Sequence, residues 1–131
     1  MSDLVDTSML VRYLTGDPPA LADRSAQIID GESDLLITDV VLVETAYVLT
    51  SVYGVSREVV VDHLAALLRK ENIGVFRLPK ELVIEALHLC RPSRRVSFAD
   101  ALIWAAARAG KATVFTLDER FPREGIAVRT G

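Results

Sequence analysis

The chain has 131 residues, half of them hydrophobic, a net charge of −3 and a single cysteine, Cys90. This composition suits one domain over residues 1–131 and excludes a disordered chain; the lone thiol excludes an internal disulfide and a CxxC metal site and fits a reducing, cytoplasmic setting. No apolar run approaches the ~20 residues of a membrane span, and the opening MSDLVDTS has acids where a signal peptide needs a basic and then an apolar segment.

Leu4-Val5 reads as a short first strand, followed by a helix whose apolar residues fall at helical spacing from Met9 to Leu14 and which ends at Gly16-Asp17-Pro18-Pro19. A second helix is expected from Ala20 to Ile29, closed by Gly31, and a buried strand at Leu35-Leu36-Ile37. Thr38 or Asp39 can cap a long helix to about Tyr53, with Gly54 as its stop. Ser56 caps the next helix, which runs to about Lys70, and Val75 to Leu78 is a strand candidate. Pro79 opens a helix to about Cys90. After the loop Arg91 to Arg95, Ser97 starts a helix that ends near Gly110. Thr113 to Thr116 and Ile126 to Val128 complete the pattern. The fold class expected from this alternation is α/β: a three-layer α/β/α sandwich around a central, mainly parallel sheet of about five short strands. Right-handed crossovers then place the strand C-termini along one edge, where such sheets bind ligands.

Four carboxylates stand out. Asp6 and Asp118 follow strands, on that edge. Glu44 has Val40, Val41, Tyr47 and Val48 three and four positions away, so its helix face looks apolar. A carboxylate buried there must be protonated, paired or bound to a cation. Asp100 lies at the start of a helix whose neighbouring residues are Ala99, Ala101, Leu102 and Ile103. Each acid also has a local explanation: a helix cap for Asp6, a helix-edge or arginine-paired glutamate for Glu44, a capping box for Asp100 and turn chemistry for Asp118. Taken jointly they suggest a site for a hard divalent cation, which takes carboxylate oxygens and retains several waters.

Val5-Asp6-Thr7-Ser8 followed by Leu10, Val43-Glu44 in an apolar helix, Ser97 to Ile103 (SFADALI) and Thr116-Leu117-Asp118 together resemble the PIN-domain family, and more narrowly its VapC-type toxins of bacterial toxin–antitoxin pairs. The resemblance spans essentially the whole chain and implies a compact nuclease that cleaves RNA with Mg²⁺ or Mn²⁺. It implies that Asp6, Glu44, Asp100 and Asp118 are both the metal ligands and the catalytic acids, with Ser8 and Thr116 ordering metal-bound water. The chain departs from the family at Arg120, where an acid or asparagine is frequent. The resemblance further implies a cognate antitoxin as partner.

Twelve arginines stand against three lysines. Arg91, Arg94 and Arg95, just before Asp100, are candidate RNA-phosphate ligands, and Arg12, one helical turn beyond Ser8, is another; a solvated loop is the plain alternative for the first three. His63 and His88 lie on different helices without ligand spacing and are read as ordinary, partly exposed residues. Surplus Val, Leu and Ala over Val40 to Val52 and Val59 to Leu68 suggests a homodimer face or a groove for a partner's amphipathic helix, besides core packing. Two other functions fit the acids less well. A Mg²⁺-dependent phosphatase would use Asp6 as nucleophile, but VDTS lacks a second aspartate two residues on. A non-catalytic binding module would use the acids only as caps and turns.

Overall fold

The computed structural model describes residues 2–130 and contains six α-helices and five short strands, in the order β1 (Asp3–Leu4), α1 (Thr7–Thr15), α2 (Pro19–Ile29), β2 (Leu35–Ile37), α3 (Asp39–Ser51), α4 (Arg57–Leu68), β3 (Ile73–Val75), α5 (Lys80–Cys90), α6 (Phe98–Gly110), β4 (Thr113–Phe115) and β5 (Ala127–Arg129). All strand pairs are parallel, as the alternation of elements predicts. The expected single sheet is instead two ladders, one ordered β1-β2-β3 and the other β4-β5. In the first, Asp3 and Leu4 lie opposite Leu35 and Leu36, and Leu35 and Ile37 lie opposite Ile73 and Val75.

The helix starts follow from local chemistry. Asp6, Thr38, Ser56 and Ser97 each accept a hydrogen bond from a backbone amide of the first turn that follows, which satisfies a donor that the helix itself leaves free. Gly16 closes α1 in the left-handed region at φ 70°, with its amide on the Arg12 carbonyl. The end of α2 differs from expectation in that Asp30, not Gly31, caps it.

One strand lies elsewhere than the sequence suggests. Val75 to Leu78 reads as β3, but pairing with β2 takes Ile73–Val75, and Arg77 turns the chain at φ 62° so that Leu78 bridges back to Val75. The register is set by burying Ile73 and Val75 on the same face as Leu35 and Ile37.

The core is shared between the first sheet and the helices. Leu10, Ile29, Ile37, Leu42, Leu64 and Trp104 are fully buried, and a side chain of this size contributes about 1.5–3 kcal/mol when removed from water. The second ladder is joined to the rest through α6, which packs against β4. Trp104 on α6 donates its indole N–H to the Glu124 carbonyl at 2.8 Å. Arg108, one turn on, lies over the Trp104 ring, pairs with Glu85 at 3.2 Å and sits beneath Gly125. Among the described residues no helix is long and apolar enough to cross a membrane.

Candidate active site

Because β1, β2 and β3 are parallel, α1 and α3 start from the same edge of the first sheet. Asp6 stands at that edge. Its Oδ1 accepts from the Thr7 amide at 2.7 Å and its Oδ2 from the Ser8 hydroxyl at 3.0 Å. Ser8 thus touches the acid directly. An ionised carboxylate has about four acceptor positions, so two remain free on Asp6.

Glu44 lies on α3, and its surroundings correct the sequence reading. Its face is apolar but open: Glu44 is exposed, with Val40 and Tyr47 beside it 70% and 65% exposed. The carboxylate therefore stays hydrated, and burial is not what demands a cation there. An apolar face looks the same in sequence whether or not another element covers it. Here α3 and α6 pack together and leave a groove of about 630 Å³ lined by Asp39, Val40, Val43, Glu44 and Tyr47 on one side and Ala99, Leu102, Ile103 and Ala106 on the other.

Asp100 sits half-buried in the first turn of α6, between groove residues Ala99 and Leu102. Its amide donates to the Ser97 hydroxyl at 3.0 Å, half of a capping box. Asp100 also acts on Cys90. Burial pushes that thiol up to about 11, with Arg57 opposing the shift and Asp100 reinforcing it. Asp118 follows β4 in the second ladder. Its Oδ1 accepts from the Arg120 amide at 2.8 Å, and its own amide donates to the Thr116 hydroxyl at 3.0 Å. Arg120 therefore contributes a backbone donor to the aspartate.

The local roles foreseen for Asp6 and Asp118 are thus real, and both acids are aimed by neighbouring backbone. Among the described residues no three acidic, histidine or cysteine side chains form a ready-made cage for an ion. The donor chemistry nevertheless fits a hard divalent cation. The oxygens are hard and largely exposed, and none of the four carboxylates has a lysine or arginine partner among the described residues. An ion that keeps most of its water and binds through one or two carboxylates needs no closed cage.

Three acids elsewhere, Asp30, Asp62 and Glu85, hold a cationic partner. Asp30 is held below the usual carboxylate range by the Tyr13 hydroxyl, 2.6 Å away, and then by Lys70 at 3.0 Å. Asp62 is held low by Arg91, which grips it through bonds of 2.8 and 3.0 Å. That pairing occupies the Arg91 fork and takes it out of the set of free arginines expected near Asp100. Arg12 donates to the Tyr53 hydroxyl at 3.3 Å, beyond the C-terminal end of α3 and away from the strand edge where Asp6 stands. Arg94 and Arg95 are exposed on the loop before α6, and their side chains have no hydrogen-bond or ion-pair partner among the described residues. His63 and His88 are exposed, and His88 lies 3.5 Å from Arg69.

The sequence reading passed over Arg57. At the first position of α4 it looks like an ordinary surface cation, and no local pattern reveals that its partners lie more than thirty residues away, at Cys90 and Val96. Thr45, next to Glu44, is fully buried with an unpartnered hydroxyl, and the hydroxyl of Thr7, next to Asp6, is likewise buried without a partner among the described residues.

No curated protein matches the chain. The PIN-domain model matches residues 4–125, a stretch that contains all four acids and both hydroxyl residues, and the chain accordingly belongs to the PIN-domain family of nucleases, which generally act with divalent metals.

Proposed function

We propose that this chain is a Mg²⁺- or Mn²⁺-dependent endoribonuclease that acts in the cytoplasm as the toxin of a toxin–antitoxin pair. The observation that carries the reading is that the PIN-domain match over residues 4–125 takes in Asp6, Glu44, Asp100 and Asp118, all four of them without a lysine or arginine partner among the described residues. Unpaired carboxylates at a strand edge and along an adjoining groove suit a cation supplied from solution.

A bound divalent ion supplies charge to polarise the scissile phosphate and an activated water. The chain's own groups do the rest. The Thr7 amide and the Ser8 hydroxyl fix the rotamer of Asp6, so its two free acceptor positions point one way. The Arg120 amide does the same for Asp118 through one oxygen, and Thr116 orients the turn. Asp100 is presented by a capped helix start, with its carboxylate uncommitted. Glu44 stands on the groove wall, where a strand lying between α3 and α6 would pass it. Arg94 and Arg95 are the remaining free cations of the loop beside that helix start, and they would neutralise RNA phosphate.

The open apolar face of Val40, Tyr47 and Ile103 supports the partner reading. An amphipathic helix of an antitoxin would cover it and, seated there, would screen Glu44 from RNA.

The test is cleavage of single-stranded RNA with and without Mg²⁺ or Mn²⁺, beside Asp6→Asn and Asp100→Asn. Both variants should fold and lose most activity, and chelation should abolish cleavage by the unaltered chain. Cleavage that survives chelation, or survives either substitution in full, removes the metal or that residue from the mechanism.

A further inference from the structure

We propose that the cavity between the end of α3 and the starts of α4 and α6 binds a backbone phosphate of the RNA, with Arg57 and Arg94 as its cationic walls. The proposal rests on the ribonuclease reading above. The cavity measures about 650 Å³, and besides the two arginines its lining includes Thr50, Ser51, Ser56 and Ser97.

Arg57 is a prepared cation. Its Nη1 donates to the Cys90 carbonyl at 3.2 Å and to the Val96 carbonyl at 2.9 Å, and its guanidinium lies 4.7 Å from the centre of the Phe98 ring. The group is half-buried and has no carboxylate partner among the described residues. A guanidinium has five N–H donors. Both bonds use Nη1, so those on Nη2 and Nε stay free for an anion. Since carbonyls and a ring already hold the fork, little freedom remains to be lost on binding. Arg94 adds a second charge at the cavity wall; it is exposed and likewise has no side-chain partner. Arg91 and Arg108 show what compensated arginines look like in this chain, each on a carboxylate. The Ser56 and Ser97 hydroxyls accept helix amides and keep their O–H donors, which can add to the two guanidinium groups in binding an anion. A planar fork with parallel free N–H groups matches the oxygens of a phosphate.

Continuity with the groove identifies the occupant as RNA. Val43, Tyr47 and Ala99 line both spaces, so a strand that passes Glu44 leads directly into the cavity. Tyr47 stands at the junction with its ring exposed, a surface on which a base can stack. The acids would thus hold the cation at the scissile bond, and Arg57 with Arg94 would hold a phosphate further along the same strand.

The experiment is anisotropy of a fluorescent single-stranded oligoribonucleotide, titrated in EDTA at several salt concentrations with the unaltered chain, Arg94→Ala and Arg57→Lys. Loss of one phosphate contact should lower the slope of log affinity against log salt by about 0.7 in Arg94→Ala. Arg57→Lys keeps the charge and loses the fork; it should bind several-fold more weakly with a nearly unchanged slope. Should Arg57→Lys fail to fold, Arg94→Ala decides alone. Inorganic phosphate should compete with the oligonucleotide in the unaltered chain and much less in Arg94→Ala. If the unaltered chain binds and cleaves RNA while both variants match its affinity and slope, the cavity is not a phosphate site and the nuclease reading stands. If the slope falls in Arg94→Ala but no divalent ion elicits cleavage, the phosphate site stands and the nuclease reading fails.

Discussion

Ser8 donates its hydroxyl to Asp6 at 3.0 Å, and the two residues stand within one turn of the same helix start. The bond leaves the acid with one rotamer. Ser8→Ala should keep the fold, because Ser8 is exposed and Asp6 still caps the helix by accepting from the Thr7 amide. It should raise the Mg²⁺ concentration needed for half-maximal RNA cleavage by about 10–100-fold, the usual cost of losing a hydrogen bond to a metal-binding carboxylate. An unchanged metal titration would show that Ser8 does not orient the ligand.

Alkaline pH should weaken the link between α1 and the end of α2. The Tyr13 hydroxyl is pushed up from 10.0 to about 12, first by burial and then by its bond to Asp30. Because the folded chain keeps that proton more tightly than the unfolded chain, the gain is full below pH 10 and declines as pH rises toward 12. Tyr13→Phe lacks this term. The stability difference between the unaltered chain and Tyr13→Phe should therefore shrink between those two values in thermal melts, and a constant difference would refute the linkage.

Thr45 is fully buried and its hydroxyl has no partner. Replacing it with valine keeps the shape and removes a polar group that gains nothing from its surroundings. Thr45→Val should stabilise the fold by about 1–2 kcal/mol. In urea this would appear as a higher midpoint with an unchanged slope.

Arg91 occupies its fork on Asp62. Arg91→Ala should change oligoribonucleotide affinity by less than about twofold and leave its salt dependence intact, since no phosphate contact is lost. A slope reduced to the extent expected for Arg94→Ala would mean that Arg91 leaves Asp62 to bind RNA.

What could be read before folding was what is decided locally. Ser56 and Ser97 announce their helices because a cap hydroxyl needs only the amide three residues on. Asp6 and Asp118 could be singled out because each follows a short apolar strand. Other features depend on distant neighbours. The position of β3 is decided by Leu35 and Ile37, almost forty residues earlier. The exposure of Glu44 depends on what packs against α3, and its own apolar neighbours gave the opposite impression. Arg91 looked like a phosphate ligand because Asp62 lies 29 residues away. Arg57 has no local signature, since the carbonyls that fix it, those of Cys90 and Val96, belong to a different part of the chain.

The β4-β5 ladder shares no strand pairing with β1-β2-β3. It is tied to the domain by α6, through the Trp104 indole on the Glu124 carbonyl and the packing of Arg108 under Gly125, and by Val114, Ile126 and Val128, which pack against the core. Such an attachment can open as a unit while the main sheet stays shut, because cooperative unfolding follows contiguous structure. Amides of Val114 and Val128 should accordingly take up deuterium well before that of Ile37. Asp118 follows β4, so such an opening would carry it away from the part of the domain that holds Asp6 and Asp100.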